Sequence, residues 1–151
     1  MKAHATPFLA PPPEYRDPQN ARVVVVPFGY EGGVSYGHGA ADAPQAVLEA
    51  SQQVEFYDSD LDAEPFRIGI ATLAVPPVPQ DAEQMVALLR DLIDPLLAQG
   101  RFPVVVGGDH SITSGYVRAL AKHHRQFGVI QLDAHADLRP SYDGSPLSHA
   151  S

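Results

Sequence analysis

"FPVVVGGDHSITSGYVRALAKHHRQFGVIQLDAHAD", Phe102 to Asp137, decides the architecture. It opens on a buried-strand pattern ending in Gly107 and Gly108, runs through a helical pattern over "SITSGYVRALAKHH", and returns in a second apolar strand pattern, "FGVIQLDAHAD". Strand, helix, strand in this order predicts two parallel strands joined by a right-handed crossover, with both strand ends on the same edge of the sheet. In open α/β sheets ligands bind outside that carboxyl edge.

Chemistry-bearing side chains sit at both predicted strand ends. His110 follows the first strand, and Asp133, His135 and Asp137 close the second at every second position. In extended backbone alternate side chains point to one side and advance about 6.6 to 6.8 Å per pair of residues. The trio and His110 are therefore expected to share one centre. The chain has no cysteine, so metal ligands must be oxygen or imidazole nitrogen. That donor set favours a first-row cation such as Mn²⁺ over structural Zn²⁺, and a carboxylate-rich group can hold two ions about 3.5 to 4 Å apart, acidifying a water between them toward hydroxide. The plainer reading makes His110 a solvated residue after a strand and the aspartates turn residues. The apolar runs before them and the paired glycines favour the metal site.

The rest of the chain supplies the remaining layers. Residues 1 to 20 contain Pro7, Pro11, Pro12, Pro13 and Pro18, which predicts an extended arm ahead of a single domain over residues 21 to 151. "ARVVVVPF" carries a continuous β-branched run from Val23 to Val26, the pattern of a strand buried on both faces within a parallel sheet. A loop with five glycines follows, in which Tyr30, Glu31 and His38 are read as loop residues at the same sheet edge. Asp42 is then expected to cap a helix reaching about Ala50, with Gln45 folding back to it. "RIGIATL" is a further strand. From Asp81 to Gln99, Met85, Leu88, Leu89, Leu92, Ile93, Leu96 and Leu97 mark one helical face, with Gly100 at its stop. Pro95 is expected to kink or split that helix. The fold class is α/β, three αβα layers around a mainly parallel sheet.

Composition narrows the partners. Eighteen acidic against ten basic residues give a net charge of -8, which disfavours nucleic acid and anionic membrane surfaces and suits a small cationic ligand. The proline-broken start lacks a signal-peptide pattern, and no segment approaches the roughly 20 apolar residues of a membrane span, so a cytoplasmic location is expected.

"GGDHS" (Gly107 to Ser111) followed by "DAHAD" (Asp133 to Asp137) resembles the ureohydrolases, the arginase and agmatinase superfamily of dinuclear manganese enzymes. The resemblance also runs through "FLAPPPEYRD" and "VVPFGYEGGVSYGHGAADAPQAVLEASQQVEFYD". It implies an arginase-like fold in which His110 and Asp137 bind one Mn²⁺, His135 binds a second, and Asp133 bridges the two. Asp133 then orients a bridging hydroxide against a guanidinium carbon, and His149, in "LSHAS", passes a proton to the departing amine.

Arginases usually carry a small polar residue where this chain has Arg139, and "DLRPSYDGSPLSHA" is similar to agmatinases instead. The resemblance therefore implies hydrolysis of agmatine to putrescine and urea, with guanidinobutyrate or another guanidino compound as the alternative substrate, by a trimer or hexamer. The family's two further metal carboxylates, in a Ser-x-Asp-x-Asp motif, do not occur in this sequence. The expectation is thus the N-terminal part of a ureohydrolase domain with an incomplete sheet, inactive as 151 residues alone. The alternative is a non-catalytic fragment or interaction module. Single-zinc deacetylases of similar architecture are disfavoured by the intact motif pair.

Overall fold

The computed structural model describes residues 1–151. Its centre is a three-stranded parallel sheet built from β1 (Val23–Phe28), β2 (Ile70–Thr72) and β3 (Phe102–Gly107), in the order β2-β1-β3. Three helices pack on it: α1 (Ala43–Ser51), α2 (Ala82–Ala98) and α3 (Thr113–His123). The β-branched run of β1 makes it the middle strand, and its register sets Val25 against both Thr72 and Val104. Pro27 is tolerated there because β2 pairs only with Val23 to Val25, so at Pro27 one side of the strand needs no amide donor.

Alternation along β1 divides the core. Val24, Val26 and Phe28 join Met85, Val86, Leu89, Ile93 and Leu96 of α2 and Ala119 of α3 in one cluster. Val25 faces the opposite layer with Leu48 of α1, Phe66 and Ile70. Fully burying each large apolar side chain contributes about 1.5 to 3 kcal/mol, so the α2 face anchors the sheet more strongly than the smaller cluster does. The arm over residues 1 to 20 makes an antiparallel bridge from Ala3 to Leu73, reinforced by the His4 amide donating to Thr72 O at 2.8 Å.

Local signals in α2 act as their chemistry requires. Asp81 caps the helix by accepting the Gln84 amide at 2.9 Å. At the other end, the Gly100 amide reaches Leu97 O and the Arg101 amide reaches Leu96 O, the paired bonds of a Schellman stop. Pro95 does not split the helix, and α2 is continuous over Ala82–Ala98. The proline sits in the last turn on the exposed side, where the Asp91 carbonyl it leaves without a donor is open to water.

Two further expectations are corrected. Asp42 makes no capping hydrogen bond. A 3₁₀ turn over Ala40–Asp42 feeds directly into α1, Pro44 has no amide to cap, and Gln45 turns instead to Glu49 at 2.7 Å. The second strand of the opening motif does not form. Residues 125 to 138 donate and accept no backbone–backbone hydrogen bond, and Ile130 and Leu132 are 90% and 95% exposed. A strand apolar on both sides needs cover on both faces, and α2 and α3 turn their apolar sides to β1 and to each other. β3 is left as a sheet edge with Val104, Val105 and Val106 half-buried. No helix is long and apolar enough to cross a membrane.

Candidate metal centre

β3 ends beside the loop that leaves β1, and the packing there is tight. A side chain at Gly108 would collide with the Tyr30 backbone, so only glycine passes. Asp109 then donates its amide to Tyr30 O at 2.9 Å and accepts the Ser111 amide at 2.9 Å, which starts a 3₁₀ turn over His110–Ile112. His110 is thereby presented at the carboxyl edge, its Nδ1 3.1 Å from Thr113 Oγ1.

Asp133 and Asp137 reach the same point from the loop after α3. One ligand atom from each of His110, Asp133 and Asp137 lies within 4.8 Å of the other two. The backbone that brings the aspartates there is not extended. Asp133 Oδ1 accepts the His135 amide at 2.8 Å, an Asx turn, and Asp137 adopts a left-handed φ of 48°. Gln131 Nε2 also donates to Asp137 Oδ2 at 3.2 Å. The turn chemistry of Asp133 thus aims the two carboxylates toward His110.

The regular alternation expected of Asp133, His135 and Asp137 is therefore corrected. The turn leaves His135 outside the close cluster, its side chain is 81% exposed with Nδ1 3.4 Å from Asp133 Oδ1, and it lines the same cleft. The His135 amide holds the Asp133 carboxyl below its ordinary range, followed in effect by the nearby His110 and His135 rings. Asp133 is consequently an anion at neutral pH, as a metal ligand must be.

His149 approaches across the cleft. The turn Tyr142-Asp143-Gly144-Ser145 has φ of 50° at Asp143 and 77° at Gly144, the pattern of a tight Asp-Gly reversal, and Tyr142 and Ser145 exchange backbone hydrogen bonds at 3.0 Å. It sets the Tyr142 ring edge-on to His149 with centroids 5.4 Å apart. His149 Nδ1 bonds the Gly33 carbonyl, and its Nε2 lies 3.2 Å from Ser35 Oγ. A cleft of about 380 Å³ is lined jointly by Ser35, Tyr36, His110, Asp133, Asp137 and His149.

Residues 21–151 match the family model described as the arginase family. The chain belongs to the arginase family. It is 43% identical over 140 residues to the N(1)-aminopropylagmatine ureohydrolase of Synechocystis sp., covering 87% of this chain and 45% of that protein. It is 32% identical over 133 residues to the agmatinase of Bacillus anthracis, covering 87% and 46%. Among solved structures it is similar to the agmatine ureohydrolase of Thermoplasma volcanium, with a TM-score of 0.83 at 28% identity over 99% of this chain and 48% of that one. This arginase-family chain spans about half the length of the curated relatives it matches.

Four residues around the arginase-family site escape the sequence reading. Ser35 and Tyr36 line the cleft, Tyr142 packs on His149, and Asp109 is buried beneath the rim. Asp109 stands inside the motif that names the family, and Ser35 inside the loop placed at that sheet edge, so position was the available signal. Conversely, Tyr30 is core, 2% exposed with its hydroxyl donating to Gln80 O at 3.2 Å. Glu31 staples the loop by accepting the Gly39 and Ala41 amides at 2.6 and 3.1 Å and pairing with His38 Nδ1 at 2.9 Å. Those bonds hold its carboxyl below the ordinary range, the Ala41 amide first.

Proposed function

We propose that the protein hydrolyses a guanidino group to urea and a primary amine, with Mn²⁺ held by His110, Asp133 and Asp137 and a second ion supported by His135 and Asp133. The observation that carries this reading is the convergence of those three ligand atoms within 4.8 Å, in a chain of the arginase family. The donors fit the metal. Two carboxylates and an imidazole without thiolate suit a hard to intermediate divalent cation. When bound, such ions acidify water and polarise the substrate.

This chain's own residues do the rest. Asp133 accepts a hydrogen bond from the attacking water and aims it at the guanidinium carbon. A water oxygen adds to the guanidinium carbon, His149 Nε2 takes up the proton that water loses, the bond between that carbon and the alkyl-bearing nitrogen breaks, and Nε2 returns the proton to the leaving amine, a shuttle suited to an imidazole near neutrality.

Agmatine, giving putrescine, is one substrate of this reading. The higher identity to an N(1)-aminopropylagmatine ureohydrolase, 43% against 32% for an agmatinase, favours the aminopropyl derivative as the other. Urea release should be measured on the complete gene product with added Mn²⁺, offering agmatine, N(1)-aminopropylagmatine and guanidinobutyrate. The proposal expects turnover of at least one of the first two. No urea from any of the three would overturn it.

A further inference from the structure

We propose that Asp109 is a positioning residue for His149, acting through Gly33. The inference rests on His149 as the group that protonates the leaving amine. Asp109 is 7% exposed and lies outside the His110, Asp133 and Asp137 cluster. Its carboxylate has no cationic partner. Instead Oδ2 accepts the Gly33 amide at 2.8 Å, and Oδ1 accepts the Ser111 amide at 2.9 Å and the Ser111 hydroxyl. A buried carboxylate is tolerated when such donors satisfy it. Gly32 and Gly33 are adjacent glycines, the freest backbone the chain can offer. The Asp109 bond removes that freedom at the residue whose carbonyl meets His149.

That contact fixes the imidazole. Gly33 O is an acceptor only, so His149 Nδ1 must carry the proton, and Nε2 is left as the basic nitrogen facing Ser35 and the cleft. A rotated Gly33 would free Nδ1 and allow the other tautomer, in which the nitrogen facing the cleft already carries a proton and cannot take one from the attacking water. The adjacency of Asp109 to His110 means that one buried carboxylate sets the metal-side turn through Ser111 and the acid-side imidazole through Gly33.

The test reads the His149 tautomer by long-range ¹H–¹⁵N spectroscopy of the metal-free, ¹⁵N-histidine-labelled complete gene product, together with kinetics and bound manganese. The wild type is expected to show the Nδ1–H tautomer. Asp109→Asn keeps one oxygen for the Ser111 amide and hydroxyl and turns a donor toward the Gly33 amide, so it should leave the metal-side turn in place and mix the tautomers. It should lower kcat about 10- to 100-fold, a part of the about 100- to 10,000-fold that a positioned acid supplies, with KM and manganese content unchanged.

Gly33→Ala puts a Cβ 3.1 Å from Asp109 Oδ2 without touching Ser111 and should give the same tautomer change if Asp109→Asn fails to fold. An Nε2–H tautomer in the wild type overturns the proposal. So does an unchanged tautomer in a folded variant, or a kcat loss that follows manganese loss. Because the spectra need neither metal nor substrate, a wild type that released no urea would sink the functional reading and leave this test intact.

Discussion

His110 Nε2 and Asp137 Oδ2 lie 3.4 Å apart, one at the end of β3 and the other on a left-handed residue of the loop beyond α3. A charge-assisted hydrogen bond would be about 2.7 to 2.9 Å. Two donors each about 2.1 Å from one ion, set at about 90 to 110°, stand about 3.0 to 3.4 Å apart. The pair is spaced for a shared cation. His110→Ala and Asp137→Ala should each weaken Mn²⁺ binding by at least about 100-fold, and the double variant should be little worse, since both remove the same ion. Titration calorimetry of the three variants checks this, and additive losses would show that the two residues do not act on one ion.

Gly115 of α3 faces α2 where the helices cross. A Cβ there would stand 2.9 Å from Leu89 Cβ and 3.0 Å from Val86 O. Alanine would favour the helix by about 1 kcal/mol, but overpacking costs about 1 to 3 kcal/mol, and a backbone carbonyl yields only if the helix moves. Gly115→Ala should therefore destabilise the protein in urea denaturation. A rise in the midpoint would mean that the crossing is looser than these distances.

Asp94 links the same two helices, accepting Lys122 Nζ at 2.8 Å and pairing with His123 Nε2 at 2.7 Å. Lys122 first, then His123, hold its carboxyl below the ordinary value. A carboxylate depressed in the folded state stabilises above its unfolded value, about 3.9, and loses that contribution as pH falls through the folded one. The melting temperature of wild type should fall more steeply below about pH 4 than that of Asp94→Asn. Parallel profiles would dismiss the linkage.

Ile130 and Leu132, nearly fully exposed, contribute little burial within the 151 residues. Replacing both by serine in this chain should change stability by no more than about 0.5 kcal/mol, while lowering dye binding and aggregation. A loss of several kcal/mol would place the segment in the sheet as a fourth strand.

Much of the fold could be read residue by residue. Val23 to Val26 foretold a middle strand, the spacing from Met85 to Leu97 the buried face of α2, and Asp81 and Gly100 its two ends, because each signal is periodic or local and its partner lies within a few residues. The motifs at Gly107 to Ser111 and Asp133 to Asp137 likewise pointed to the family, and three of the four candidate ligands they hold come together. Where the reading failed at these positions, a competing local turn decided. Asp42 lost its cap to a preceding turn, and His135 left the cluster because Asp133 took its amide.

Periodicity states which face of a segment is apolar, and so the order of strands and helices follows from residue spacing alone. It does not state whether another layer will be there to cover that face, and so Ile130 and Leu132 belong to no strand in these 151 residues. Nor can it see that the Asp109 carboxylate, the Gly33 backbone and the His149 ring form one line of hydrogen bonds, since those contacts join residues 76 and 116 positions apart. Only folding brings such groups within the 3 Å or so at which a hydrogen bond acts.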